Sequence, residues 1–506
     1  MGFGINRREF LKRGTLAGAV LSASRRTVRG ATTGLPSTEK SSIRRLASRL
    51  RGEVLLPEDK GYEAACRDWT GAIPKRPGFV VRPAETQDIV TAVKFARDHD
   101  LLVAVRGGGH GFGSTCEGGM LLNLGKMKKV TVDSAKRVAR AEAGVLAGEF
   151  DRATCAQGLA TVLGECPSVG LSGLTLGGGL GRLTGKYGAL CDNLLSAEVI
   201  TANGQVLTSS MTENADLFWG IRGGGGNFGI VASFEYRLHP VSTVLSGTLR
   251  YPTSQLKPVL RFIAEYMLAA PDELDAIVDI GSGGMVYAPD AQEPAVVINV
   301  CCGGELSAAE KTLRPLRSFR ASAVDTIGPM SYLEAQSQCD LTPVLKHATD
   351  RYSGYSKTGF ITRLNDNAIE AVTAHCEKPP SPIWSVELGH CMHGEVCRVP
   401  ESAMAFSLRQ PGYSLFLDAF EERPATGEAA IMWGQSLHKA LEPFSGGRMY
   451  LNLLTDSGES GVRAAFGNNY QRLVAVKSKY DPTNFFHLNP NIAPKQAASA
   501  RSIVST

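Results

Sequence analysis

Three glycine clusters, Gly107–Gly113, Gly170–Gly181 and Gly223–Gly229, constrain this chain more than any other feature. Glycine makes up 56 of 506 residues, and its clustering points to backbone that closes on a ligand rather than to disorder. The clusters lie in a region, Phe79 to Pro240, that alternates short apolar runs with helical patterns. Phe79-Val-Val81 reads as a strand. Ile89, Val90, Val93, Phe95 and Ala96 mark one face of a helix opened by Thr86. Leu101 to Val105 reads as a buried strand that runs directly into the first cluster. A strand–helix–strand unit of this kind predicts an α+β or α/β nucleotide-binding domain. Val138 to Glu142, Ala197 to Thr201 and Ile230 to Leu238 are further strand candidates.

The third cluster contains G-x-G-x-x-G, as Gly224-Gly-Gly226-Asn-Phe-Gly229. A helical segment, Asp216 to Arg222, precedes it and a strand follows. The dinucleotide turn needs strand and then helix, so the order is reversed and a Rossmann site is rejected. The first cluster has a better role. Bare amides in a tight glycine turn can close on a diphosphate, with Arg106 at the mouth; a plain glycine-rich turn is the alternative.

Two nucleophiles sit in these segments: His110 in Arg106-Gly-Gly-Gly-His110, and Cys166 in Gly164-Glu-Cys166-Pro-Ser-Val-Gly170. Alone, such a histidine is usually a surface or packed residue and such a thiol an inert buried one. Their neighbours argue otherwise. Pro167 stiffens the chain after the thiol, and Gly164 and Gly170 let backbone lie close to a flat ring. An imidazole and a thiol so placed can both bond to one flavin.

The net charge of +5 is concentrated at the N-terminus, in Arg7, Arg8, Lys12, Arg13, Arg25, Arg26 and Arg29. Asn6-Arg7-Arg8-Glu9-Phe10-Leu11-Lys12 and the weakly apolar run after it predict a twin-arginine export signal over 1–31, engaging the translocase and delivering the protein to the periplasm or beyond. The remainder is close to neutral, which argues against nucleic acid or acidic lipid as partner. No later stretch is apolar enough to predict a membrane span. Eleven cysteines include no Cys-x-x-Cys, so neither zinc nor thioredoxin chemistry is expected. Their odd number leaves one for other chemistry, and Cys166 is the candidate.

The ordered motifs resemble those of the berberine bridge enzyme-like FAD-linked oxidases. The resemblance runs from Arg106–His110 and Gly164–Gly170 through Leu176-Gly-Gly-Gly-Leu-Gly-Arg182, Lys186-Tyr-Gly188 and Asp192-Asn193 to Asp216–Val231. It closes with Tyr480-Asp-Pro-Thr-Asn-Phe-Phe486 and Asn489-Pro-Asn-Ile492. It implies an α+β fold: a PCMH-type FAD-binding domain over 74–243 with flanking 40–73, a substrate-binding domain with an antiparallel sheet over 244–445, and a segment, 446–494, returning to the FAD domain. It implies FAD bonded through its 8α-methyl to His110 and through C6 to Cys166. It places Arg106, Gly107, Gly108, Gly109 and Gly111, with Gly170, Leu171, Ser172, Gly173 and Thr175, along the diphosphate and ribityl chain. Gly229 and Ile230 belong to the adenine end, Asn452 and Asn489 join the cofactor set, and Val169 stands where members gate O2. A small Val there suggests an oxidase.

The resemblance also places the tyrosine of Tyr450-Leu-Asn452 above the flavin as base. A phenol titrates near 10, so it needs help from a positive charge or hydrogen bonds; a buried strand tyrosine is the alternative. Related proteins tend to carry a Gly-Gly-Ala run where this chain has His393-Gly394-Glu395, with His390 upstream. Period-two alternation puts His393, Glu395 and Cys397 on one strand face, either toward substrate or toward solvent. No third ligand joins His390 and His393, so no metal is expected. Three readings follow. The first is an exported oxidase turning an alcohol, sugar hydroxyl or related donor into a carbonyl and O2 into peroxide. The second is a dehydrogenase or an oxidative tailoring enzyme of a secondary metabolite. The third is a flavin-binding protein without significant turnover.

Overall fold

The computed structural model describes residues 37–69, 73–111, 113–241, 243–282, 293–338, 352–423, 425–454 and 458–495. The expected export signal, 1–31, lies outside the described residues.

The glycine-rich half is built on the expected strand–helix–strand unit. Strands Phe79–Arg82 and Val103–Arg106 flank strand Met120–Asn123 in parallel, and Glu53–Leu55 closes the edge antiparallel. The connecting helix, Thr86–Asp98, buries Ile89, Val90, Ala92, Val93 and Ala96. Its buried Asp88 accepts from the backbone N–H groups of Arg51, Gly52 and Ala84 at 2.8–2.9 Å, fixing two connections at once. Beside this sheet lies an antiparallel one in the order Val130–Asp133, Val138–Glu142, Ile230–Arg237, Leu194–Ile200, Val206–Ser210. The strand expected at Ala197 starts three residues earlier, at Leu194, and the one from Ile230 stops at Arg237. Gly224–Gly229 follows helix Ala215–Ile221 and precedes strand Ile230–Arg237, the reversed order read from sequence.

From Thr243 the chain forms an eight-stranded antiparallel sheet. Its central order is Thr243–Pro252, Ala295–Cys302, Leu274–Gly281, Ile383–Met392, Gly412–Glu422, Tyr352–Ile361. Alternate residues, among them Leu249, Val278, Ile298, Val386 and Leu417, face helices Leu256–Tyr266, Leu306–Ser318, Asp366–Cys376 and Glu428–Leu441 and form one core. Each such fully buried side chain contributes about 1.5–3 kcal/mol. The opposite face turns toward the glycine loops. Arg182, just after the second cluster, donates to Asn299 Oδ1 at 2.7 Å, and Thr358 Oγ1 bonds the Leu453 carbonyl.

The last segment packs back on the glycine-rich half. Helix Tyr470–Tyr480, expected near Asn468–Lys479, carries Lys477 into the interior. Its Nζ donates to Asp481 at 2.7 Å and to the carbonyls of Asn227 and Phe486 at 2.9 and 2.8 Å. Removing one partner of such a buried pair costs about 3–5 kcal/mol. Arg409 and Asp192 add a second buried link, bidentate at 2.7 and 2.8 Å. Among the described residues no helix is long and apolar enough to cross a membrane, and ten cysteines are all free thiols.

Candidate active site

The first two glycine clusters meet backbone to backbone. A Cβ on Gly108 would lie 2.2 Å from the Gly170 nitrogen, and one on Gly170 would lie 2.1 Å from that of Gly108. Only glycine at both positions permits this approach. The Cys166 loop is held from behind by Ala147 N–H to Val169 O at 2.8 Å, Gly148 N–H to Pro167 O at 3.0 Å and Leu171 N–H to Val145 O at 2.9 Å. The two loops bring the two nucleophiles together. His110 Nε2 lies 3.0 Å from Ser168 Oγ, and Cys166 Sγ lies 3.2 Å from the same oxygen. One hydroxyl therefore bridges imidazole and thiol. Trp69 stacks on the imidazole at 4.2 Å between centroids. Burial pushes the His110 pKa down to about 4, leaving a neutral imidazole at physiological pH, with its lone pair free for nucleophilic use.

Arg106 departs from its expected place at the mouth. Its guanidinium is buried and turned back, donating to the carbonyls of Ser114, Ala65 and Arg67 at 2.8–3.1 Å. It secures the glycine turn from beneath, because a buried guanidinium needs acceptors and the nearby carbonyls supply them. Gly109 takes a φ of +84° beside the Trp69 backbone. Gly107 abuts Ser172 Oγ, and a Cβ there would come within 2.5 Å of it. Leu171 is fully buried, and Thr175 bonds Tyr236 OH at 2.7 Å, so both side chains serve the core rather than an open cleft. Gly229 and Ile230 lead into the strand paired with Ile200. Val169 is half-buried beside Ser168. Asn489 donates to Gly226 O at 3.1 Å, while its Oδ1 is buried without a partner among the described residues.

Tyr450 reaches the same region. Its hydroxyl oxygen accepts from Gly179 N–H at 3.1 Å and from Asn452 Nδ2 at 2.9 Å. Asn452 also donates to Leu174 O at 3.0 Å, in the helix that follows Gly170. Burial pushes the phenol up to about 12, outweighing the two hydrogen bonds, which pull it down. The resting group is a phenol whose oxygen is already prepared to carry negative charge.

His393 and Glu395 do not share a strand face. The strand ends at Met392; Gly394 adopts a φ of +65°, where a Cβ would meet Gly185 O at 2.3 Å, and Glu395–Arg398 winds into a helical turn. Period-two alternation therefore fails there. His393 Nε2 lies 2.8 Å from the Leu274 carbonyl, and Glu395 pairs with Arg398 on the surface at 3.0 Å. No group of three His, Cys, Asp or Glu among the described residues is arranged to hold a metal.

Ser168 and Trp69 are functional candidates that sequence reasoning missed. Ser168 had a signal, lying two residues from Cys166 inside the same glycine-flanked loop; Trp69 had none. Also missed was a set of carboxyls on the face of the large sheet opposite its helices, Asp275, Asp279, Glu387 and Asp418.

The residues present suit FAD. No atom lies within 4 Å of where a Cβ would stand on Gly111 or Gly173, so the chain beside His110 and beyond Gly170 faces open space. Residues 77–210 match the FAD binding domain family, and residues 449–493 the berberine and berberine-like family. An FAD-linked oxidoreductase of Dictyostelium discoideum is 32% identical over 432 residues, 85% of this chain and 91% of its own. The (R)-6-hydroxynicotine oxidase of Paenarthrobacter nicotinovorans is 31% identical over 459 residues, covering 88% of this chain and 97% of its own. The crystal structure of 6-hydroxy-D-nicotine oxidase from Arthrobacter nicotinovorans superposes with a TM-score of 0.76 at 30% identity, over 88% of this chain and 98% of that one. Xylooligosaccharide oxidase from Myceliophthora thermophila shares the fold at 22% identity, with a TM-score of 0.77. Sequence and fold together make the chain an enzyme, and it belongs to the berberine bridge enzyme-like family of FAD-linked oxidoreductases.

Proposed function

We propose that this enzyme is an exported oxidase that holds FAD through two covalent bonds, one from His110 to the 8α-methyl and one from Cys166 to C6. It oxidises a small-molecule donor, an alcohol or sugar hydroxyl or a related group, and uses O2 as acceptor. Bound FAD supplies two-electron acceptance as hydride at N5 and reoxidation by O2 to peroxide. The observation that carries the reading is the Ser168 hydroxyl, which stands within hydrogen-bond reach of both His110 and Cys166. It occupies Nε2 of the neutral imidazole and leaves Nδ1 for carbon.

Tyr450 takes the donor's proton. The N–H groups of Gly179 and Asn452 stabilise the charge that develops on its oxygen, the kind of fixed-dipole assistance that lowers a barrier without reorganisation. Val169, small and half-buried in the Cys166 loop, is the residue that admits O2 in this reading. The oxidase named in Paenarthrobacter supports O2 as acceptor. Export rests on the twin-arginine pattern Asn6–Lys12.

A screen of alcohols, sugars and amines with peroxide readout tests this function. The expected result is peroxide equimolar with oxidised product. Turnover with an artificial dye but no peroxide would replace the oxidase by a dehydrogenase. Replacing Arg7 and Arg8 together by Lys should leave the precursor in the cytoplasm; normal export of that variant would remove the twin-arginine reading.

A further inference from the structure

The buried Arg106 guanidinium fastens a segment that is distant in sequence. Its Nη1 donates to the carbonyls of Ala65 and Arg67 at 3.1 and 2.8 Å, and its Nε to Ser114 O at 3.0 Å. Asn123 Nδ2 adds a bond to the Ala65 carbonyl at 3.1 Å. Residues 65–67 are thereby held against the glycine turn. Gly109 completes the approach. A Cβ there would lie 3.4 Å from the Trp69 nitrogen and 3.6 Å from Asp68 Cα, and its φ of +84° favours glycine. The fastened segment carries Trp69 onto His110.

The contact is face to face, with ring centroids 4.2 Å apart and planes 12° from parallel. Stacking fixes the plane of the imidazole but leaves the ring free to turn within that plane. The Ser168 hydroxyl removes that freedom by holding Nε2 at 3.0 Å. The lone pair of a ring nitrogen lies in the ring plane, so the two restraints together aim Nδ1 along one line. Fixed aim of this kind raises the rate of a bond-forming step by orders of magnitude.

Charge adds a second argument. Attack by Nδ1 on carbon makes the imidazole cationic until Nε2 loses its proton. Burial opposes that charge and pushes the His110 pKa down to about 4; the Ser168 contact and the Asp68 carboxylate offset it only in part. An indole face is the best aromatic partner for a cation, and desolvation strengthens the attraction. The bond from Nδ1 to the 8α carbon releases one proton from that methyl and one from Nε2. The electron pair of the broken C–H bond passes to the flavin ring and from it to O2, which leaves as peroxide with the two protons.

We infer that Trp69 is a positioning residue for attachment through His110: its indole aims the imidazole and stabilises the positive charge that the ring acquires as it bonds to the flavin. This rests on the reading of His110 as a flavin ligand. A packing role alone would affect attachment through His110 and through Cys166 alike.

The test uses purified protein after equal expression times, with acid precipitation and flavin-peptide mapping as readouts. Cys166→Ala leaves His110 as the attachment point and should keep nearly all of its flavin in the pellet. Adding Trp69→Leu should raise the acid-released fraction at least about tenfold. Adding Trp69→Phe instead, which keeps an aromatic face, should bring that fraction back to within about threefold of Cys166→Ala. Trp69→Leu in the His110→Ala background should keep its flavin through Cys166. Equal release from Cys166→Ala with and without Trp69→Leu overturns the inference. So does loss of flavin from Trp69→Leu/His110→Ala, which would make Trp69 a general packing residue. Flavin released by Cys166→Ala alone would instead defeat the reading of His110 as a ligand, so the two failures are told apart.

Discussion

The glycine loops and the acidic sheet face are built on opposite terms. In the loops, the close approach is built within the protein: Gly108 and Gly170 touch, Arg106 is anchored by three backbone carbonyls, and Ser168 links His110 to Cys166. On the sheet, Asp279 and Glu387 oppose each other across a register pair, and Asp279 keeps an unpartnered oxygen. The loops are preorganised to receive FAD. The sheet face keeps buried carboxyl oxygens of Asp275 and Asp279 without partners among the described residues.

The sharpest way to break the comparison is at the loop contact. Gly170→Val places side-chain atoms inside the Gly108 backbone and should abolish flavin-loaded protein, measured as the ratio of flavin to protein absorbance. A variant that loads normally would show the loops are not in contact. Next comes Tyr450→Phe, which keeps the ring and removes the oxygen that Gly179 and Asn452 address. Its kcat should fall by about 10²–10⁴-fold with flavin content unchanged and KM moved far less. A loss below about threefold would leave Tyr450 a packing residue. The smallest expected effect is on the sheet. Burial, with Asp418 nearby, raises Asp279 to about 7, so between about pH 4 and that value the folded protein keeps a proton the unfolded chain has released. Rising pH through this window therefore costs stability. Asp279→Asn should melt about 2–5 °C above wild type at pH 8, with the gap closing toward pH 5. A gap independent of pH would mean that Asp279 does not carry the charge.

The same contrast explains what the sequence made legible. The flavin loops are local: His110 and Cys166 each sit in a contiguous glycine-rich stretch, and the order of helix and strand around Gly224 correctly excluded a dinucleotide turn. Arg106 was misplaced because sequence order cannot say whether a long side chain turns outward or back toward the carbonyls of 65 and 67. His393 and Glu395 were misread because alternation was carried through Gly394, whose positive φ ends the strand. The acid face stayed hidden because it forms only by register, which pairs Asp279 with Glu387, more than a hundred positions on, and sets Asp418 of a third strand beside them. Its trace was nonetheless present, as single acids inside apolar runs, Leu274-Asp-Ala-Ile-Val-Asp-Ile280 and Leu415-Phe-Leu-Asp-Ala419.

The most direct test of the account is acid precipitation of the wild-type holoenzyme beside His110→Ala, Cys166→Ala and the double variant. The flavin should stay in the pellet for the wild type and for each single variant, and appear in the supernatant only for the double variant. Digestion of the wild type should yield one flavin-bearing peptide pair containing His110 and Cys166. Free FAD released from the wild type would contradict the claim that both nucleophiles hold the cofactor.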